Sequence, residues 1–116
     1  ARYHDYISVA AEFDNGRDLT WIWSSQLDID HYFNCPIKSW SARETHYVIR
    51  KGIEQKNEWL RESRNLYTDV SKSMKFTPHK VTAIWLIGVA TFQHASARAE
   101  FSNIKLSNEN ETLQVL

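Results

Sequence analysis

The strongest constraint on this chain is local and lies between Asp5 and Ser24. Ile7, Val9, Ala11 and Phe13 alternate with Ser8, Ala10 and Glu12, the period of two expected when a strand buries one face. Asp14-Asn15-Gly16 follows, residue types that tolerate the positive φ of a tight turn, and Leu19 to Ser24 then resumes an extended pattern. The two runs predict an antiparallel hairpin. Trp21 and Trp23 fall on one face of its second strand, and that pair is expected in the core.

The next stretch, Ser25 to Glu44, mixes Asp, Asn, Pro and Ser with scattered aromatics and shows no sustained period. It reads as a long ordered loop carrying Tyr32, Phe33 and Trp40, of a length that is often functional. Thr45 to Lys51 alternates again and predicts a strand, with Gly52 as punctuation. Glu58 to Ser63 fits a strand with Trp59 on one face and fits a helix equally well. After Asn65 the helix reading wins. Leu66, Val70 and Met74 stand at i, i+4 and i+8, Tyr67 widens the stripe, Asn65 can cap the first turn and Pro78 stops the continuation. One short helix over a sheet edge or open end is expected.

Lys80 to Val89 is β-branched and almost continuously apolar, the pattern of a central strand covered on both faces. Ala97 to Leu106 alternates with a one-residue shift near Ser102-Asn103, which predicts a β-bulge. Ser107 to Glu111 is polar and is expected to leave the domain, freeing Leu113, Val115 and Leu116 to pack on a neighbour. The fold class is therefore mostly β with one short α-helix, spanning residues 1–106, followed by a polar tail at 107–116.

Composition narrows the function classes. A chain of 116 residues is one domain, and 14 basic against 14 acidic side chains give no net pull toward nucleic acid or an anionic membrane. The longest apolar run, Val81 to Ala90, is half the roughly 20 residues of a membrane-spanning helix. With Cys35 as the single cysteine, an internal disulfide cannot form.

The order of these elements resembles the later half of the bacterial proteins known as domain of unknown function 3047. The resemblance runs through HDYISVAAEFDNG, LTWIWSS, HYVIRKG, EWLRESRNLYTDV, PHKVTAIWLIGVATF and SARAEFSNIKL, with Asp5, Trp23-Ser24, Trp59, Arg64-Asn65, Asp69, Ala99-Glu100-Phe101 and Ile104 at the family's positions. It implies an antiparallel, jelly-roll-like β-sandwich in a secreted or periplasmic protein, similar in outline to carbohydrate-binding modules. Two departures stand out. The family's usual N-terminal half is absent, which implies an open sheet edge and an uncovered apolar face. An acidic segment expected after the central strand is replaced by Gly88 to His94, which argues against a calcium or acidic ligand site there.

Candidate chemistry is sparse. Asp28, Asp30, His31 and Cys35 are the one close cluster of metal-ligand residue types, although their spacing matches no metal motif and turn-capping carboxylates explain the acids as well. His4, His46, His79 and His94 are scattered. Glu58, Glu62, Arg61 and Arg64 could supply the paired carboxylates of glycosidic chemistry, but their spacing favours a solvated ion-pair ladder, with Arg64 bonded to Asp69 or to carbonyls near the helix start. No serine has a nucleophile context. Tyr32, Phe33 and Trp40 form the expected sugar-stacking set, with Trp40 the best exposed contact. Trp23, Trp59, Arg64, Asn65 and Asp69 are expected in structural roles.

The residues point to a non-catalytic accessory domain that needs no cofactor, and the resemblance implies that it lies outside the cytoplasm, periplasmic or extracellular. It presents an open sheet face to other protein subunits. A carbohydrate-binding module is the alternative, and a metal-dependent enzyme centred on Asp28 to Cys35 ranks third. Burial separates the three.

Overall fold

The computed structural model describes residues 6–52, 54–89 and 99–116. His4, Asp5, His94, Ala97 and positions 90–93 of the replaced acidic segment lie outside that set. Eight elements follow in order: β1 (Tyr6–Phe13), β2 (Asp18–Ser24), β3 (Tyr32–Asn34), β4 (Glu44–Lys51), α1 (Leu66–Met74), β5 (Val81–Val89), β6 (Lys105–Ser107) and β7 (Thr112–Gln114). The chain is mostly β with one short helix. Five strands form one sheet in the order β3-β4-β2-β1-β5, and β6 and β7 form a separate hairpin.

The first hairpin forms where its alternation predicts. Tyr6 pairs with Ser24 and Glu12 with Asp18 in antiparallel register. Gly16 takes φ 80°, a conformation open to glycine at no steric cost, while the Phe13 amide bonds the Arg17 carbonyl at 2.8 Å. The sheet is mixed rather than antiparallel, because β2 pairs with β4 in parallel. That pairing puts the 25–43 connection across the end of the sheet, and the expected long ordered loop contributes a strand, β3, whose Tyr32 and Phe33 face Tyr47 and His46 of β4.

β4 is the strand buried on both faces, with Thr45, His46, Tyr47 and Val48 all buried. The run 80–89 was the expected centre, yet β5 is an edge strand. It pairs with β1 alone among the described residues, and Trp85 and Leu86 are exposed. Apolar side chains on both faces of a strand do not require cover on both faces.

The helix starts and stops as its residues dictate. Asn65 has extended φ/ψ and its Oδ1 accepts the Thr68 amide at 3.0 Å, while Lys75 closes the helix in the left-handed region ahead of Pro78. Val70 and Met74 pack with Ala11, Phe13, Leu19 and Tyr47 to make the main core, and Leu66 joins at its margin. Tyr67 does not widen the stripe. It is exposed, and the third buried position is Asp69. A smaller cluster, Ile22 and Val48 with Leu27, Phe33 and Ile87, packs on the opposite face of the sheet.

Two expectations for the C-terminal part give way. No strand or bulge spans 99–104; the direction changes instead at Asn103, whose φ of 55° is left-handed. The segment after residue 107 does not run off as a tail, since β7 folds back on β6 with Leu106 opposite Leu113, and the Val115 amide reaches the Ile104 carbonyl at 2.8 Å.

Candidate functional site

Alternation sends Ile7, Val9, Trp21, Trp23, Ile49 and Ile84 to the face of the sheet that carries α1. They floor a cleft of about 600 Å³ whose walls come from residues 58–64 and 100–106, with Leu66 and Val115 closing it. That volume lies within the ordinary range for small-molecule sites, roughly 300–1,000 Å³. Glu58, Arg61, Glu62, Arg64, Ser102 and Asn103 add polar groups to a lining otherwise dominated by aromatic and aliphatic side chains.

Each of the two indoles on the floor is positioned by a specific bond. The Trp21 indole N–H donates to Asp69 Oδ2 at 2.8 Å, and that of Trp23 to the Gly52 carbonyl at 2.7 Å. The two indoles are partly buried: of the pair expected as core, Trp21 packs against the main cluster, and both floor the cleft. Trp59, expected in a structural role, is 69% exposed among the lining residues.

Arg64 and Asp69 fasten the cleft to the helix. Arg64 donates to both Asp69 oxygens, at 2.9 and 3.0 Å, and lies over the Tyr47 ring at 5.1 Å. The bond to Asp69 holds the guanidinium above its usual range. Of the expected ladder the Arg64–Asp69 pair forms, while Glu62 pairs across to Arg50 on β4 rather than along 58–64. Asp69 is the buried centre of this arrangement, and hydropathy alone marks it as surface.

The structure does not bring the expected stacking set together. Tyr32 and Phe33 are successive strand residues and so point to opposite faces. Tyr32 stacks on Tyr47 at 5.9 Å, Phe33 lies between His31 and His46 at 5.3 and 5.2 Å, and Trp40 is exposed under Arg43 at 4.8 Å. None of the three lines the cleft.

The metal candidates also scatter. Asp28 pairs with Lys51 at 2.6 Å, which holds its carboxyl below the ordinary range, and Asp30 accepts the Tyr47 hydroxyl at 3.2 Å. His31 rests on Phe33. Cys35 alone keeps a metal-type neighbourhood, with other partners: its thiol, a Glu44 oxygen and a His46 nitrogen all lie within 4.8 Å of one another. Cys35 and His46 are buried, and His46 Nε2 is 2.9 Å from Glu44 Oε1. Burial pushes the Cys35 thiol up. Asp18, beside Glu44 in the β2–β4 register, is pushed up to about 6, chiefly by burial and then by the Glu44 charge.

Among the described residues, no helix is long and apolar enough to cross a membrane. Residues 4–105 match the family model described as Protein of unknown function (DUF3047). No curated protein and no solved structure matches the chain.

Proposed function

Since the chain belongs to the DUF3047 family, whose description assigns no activity, we propose a function from the site itself: a non-catalytic binding domain whose cleft takes a carbohydrate-class ligand. The observation that carries this reading is the cleft floored by Trp21 and Trp23, with Trp59 exposed in its lining. Pyranose rings lay their apolar faces on indole surfaces while their hydroxyls reach charged and amide groups, here Arg61, Glu58 and Asn103. The platform is thus a different one from Tyr32, Phe33 and Trp40. We take the five-stranded sheet and the β6–β7 hairpin as the two layers of the jelly-roll-like sandwich that the family resemblance implies. An extracytoplasmic location belongs to the same proposal, and fractionation of the source cells tests it.

A glycan array followed by calorimetric titration of the best binder tests the ligand class. Trp59→Ala should weaken binding about tenfold, the equivalent of the ~1.4 kcal/mol of one aromatic contact, without altering stability. A blank array, or a binder indifferent to Trp59→Ala and Arg61→Ala, refutes the reading.

A second reading has its own observation: the nine-residue edge strand β5 exposes Trp85 and Leu86, as a strand that adds a protein partner does. In that reading another subunit covers the open edge. Native mass spectrometry of the chain isolated from its source decides it. A co-purifying chain lost on Leu86→Lys supports the subunit role, and a monomer without companions removes it.

A further inference from the structure

We infer that Cys35, Glu44 and His46, on the sheet face opposite the cleft, form a binding site for a zinc-class divalent cation. Three features of the fold converge there. β3 runs antiparallel to β4 and ends so that the Cys35 amide bonds the Glu44 carbonyl at 2.9 Å, which sets the thiol beside that carboxylate. Glu44 and His46 are separated by one residue on β4, so both project from the same face. Phe33 stacks on the His46 ring at 5.2 Å and 14°, fixing the orientation of the imidazole.

The donor set suits the ion. Thiolate, imidazole and carboxylate are the three ligand types of tetrahedral zinc sites, and three protein ligands leave a fourth position for water. With metal–ligand bonds of 2.0–2.3 Å, ligand atoms around a tetrahedral ion stand about 3.3–3.8 Å apart. The three donors all lie within 4.8 Å of one another, with His46 Nε2 2.9 Å from Glu44 Oε1, so small side-chain rotations bring them to that spacing. Binding moves the thiol proton to solvent, and the ion provides the positive charge that a buried thiolate needs.

The surrounding charge is of the sign a cation requires. Glu12 of β1 faces Asp18 of β2, which faces Glu44 of β4, so three carboxylates stand in one row across three strands on this face. Arg43 offsets part of that charge, and Glu12 is also held by the Trp85 indole at 3.0 Å. A cation between Cys35, Glu44 and His46 relieves the repulsion along the row.

Cobalt(II) titration of the chelator-stripped chain, read by optical absorption with zinc(II) as competitor, tests the site. The expected result is one equivalent of cobalt giving a thiolate-to-cobalt charge-transfer band that zinc abolishes. Cys35→Ser should eliminate the band and weaken zinc binding by more than about 100-fold, beyond the 10–100-fold typical of outer-shell changes, while Glu44→Gln weakens it at least about 10-fold. Asp28→Asn, in the exposed pair with Lys51, should leave the affinity within about twofold. Circular dichroism of the stripped variants establishes that they fold. Should His46→Gln fail to fold, Cys35→Ser and Glu44→Gln decide the matter. Absence of the band in the unaltered chain, its survival in Cys35→Ser, or unchanged affinity in Glu44→Gln overturns the assignment.

Discussion

Replacing Asp69 by Ala separates the helix from the cleft floor. Asp69 is 4% exposed, and its carboxylate accepts three bonds at 2.8–3.0 Å, one from Trp21 and two from Arg64. Truncation leaves the Trp21 N–H without its acceptor beneath α1 and strips Arg64 of its bidentate partner. Removing one member of a buried ion pair costs about 3–5 kcal/mol. The guanidinium is 30% exposed and regains water, so the lower end applies, about 3 kcal/mol. For a domain of this size that lowers Tm by about 10–15 °C.

The companion variants locate the loss. Asp69→Asn keeps an oxygen for the indole but offers an amide to the guanidinium, and should cost about 2 kcal/mol. Arg64→Ala leaves the carboxylate buried with one donor, also about 2 kcal/mol. Urea unfolding followed by far-ultraviolet circular dichroism gives these values without relying on tryptophan emission, and the double variant closes the cycle. A coupling of about 1–2 kcal/mol is expected. If Asp69→Ala costs under about 1 kcal/mol, or the two single effects simply add, the pair does not fasten helix to sheet.

Three further outcomes test neighbouring parts of the argument. Asn65→Ala should cost about 1 kcal/mol by removing the cap on the Thr68 amide, and Asn65→Ser much less, as urea midpoints will show. Val70→Ala, at a fully buried helix position, should cost about 2 kcal/mol in the same assay. Asp18, raised from 3.8 to about 6, keeps in the folded protein a proton that the unfolded chain has already lost across that window. Native stability must therefore fall as pH rises from about 4 to 6. The full shift corresponds to about 3 kcal/mol, and its partial exposure reduces this to about 1. Chelator-treated Asp18→Asn should lack that decline, and a parallel decline in both proteins contradicts it.

How much of this was legible depended on the range of the deciding contact. The Asp14 to Gly16 turn and the Asn65 cap are settled within five residues, and both stand where the pattern places them. Tyr67 failed as a stripe residue because hydropathy scores the residue alone, whereas Asp69, expected in a structural role beside Arg64, is buried with a further partner 48 positions away. The apolar run of β5 carries no mark of edge or centre, since that depends on a neighbouring strand. Leu113 and Val115 were visible as apolar, but their fold-back on Ile104 and Leu106 is set by the turn between β6 and β7.

The same logic separates the two candidate sites. The cleft floor was half readable: Trp21 and Trp23 share a face by simple alternation, but the patterns of 58–63 and 97–106 suggested regular elements, whereas 58–64 and 100–104 wall the cleft as irregular segments. The thiol cluster failed for a different reason. Cys35 was grouped with its sequence neighbours Asp28, Asp30 and His31, whose turns point them elsewhere, toward Lys51, Tyr47 and Phe33. Its partners sit on the following strand, where Glu44-Thr45-His46 places a carboxylate and an imidazole on one face. An acid and a histidine two apart on a strand, near a cysteine that ends the preceding one, is the signal that close spacing in a loop obscured. Whether cobalt takes up the Cys35 thiolate therefore tests more than one ion: it asks if the antiparallel β3–β4 register, rather than proximity along the chain, assembles the chemistry of this face.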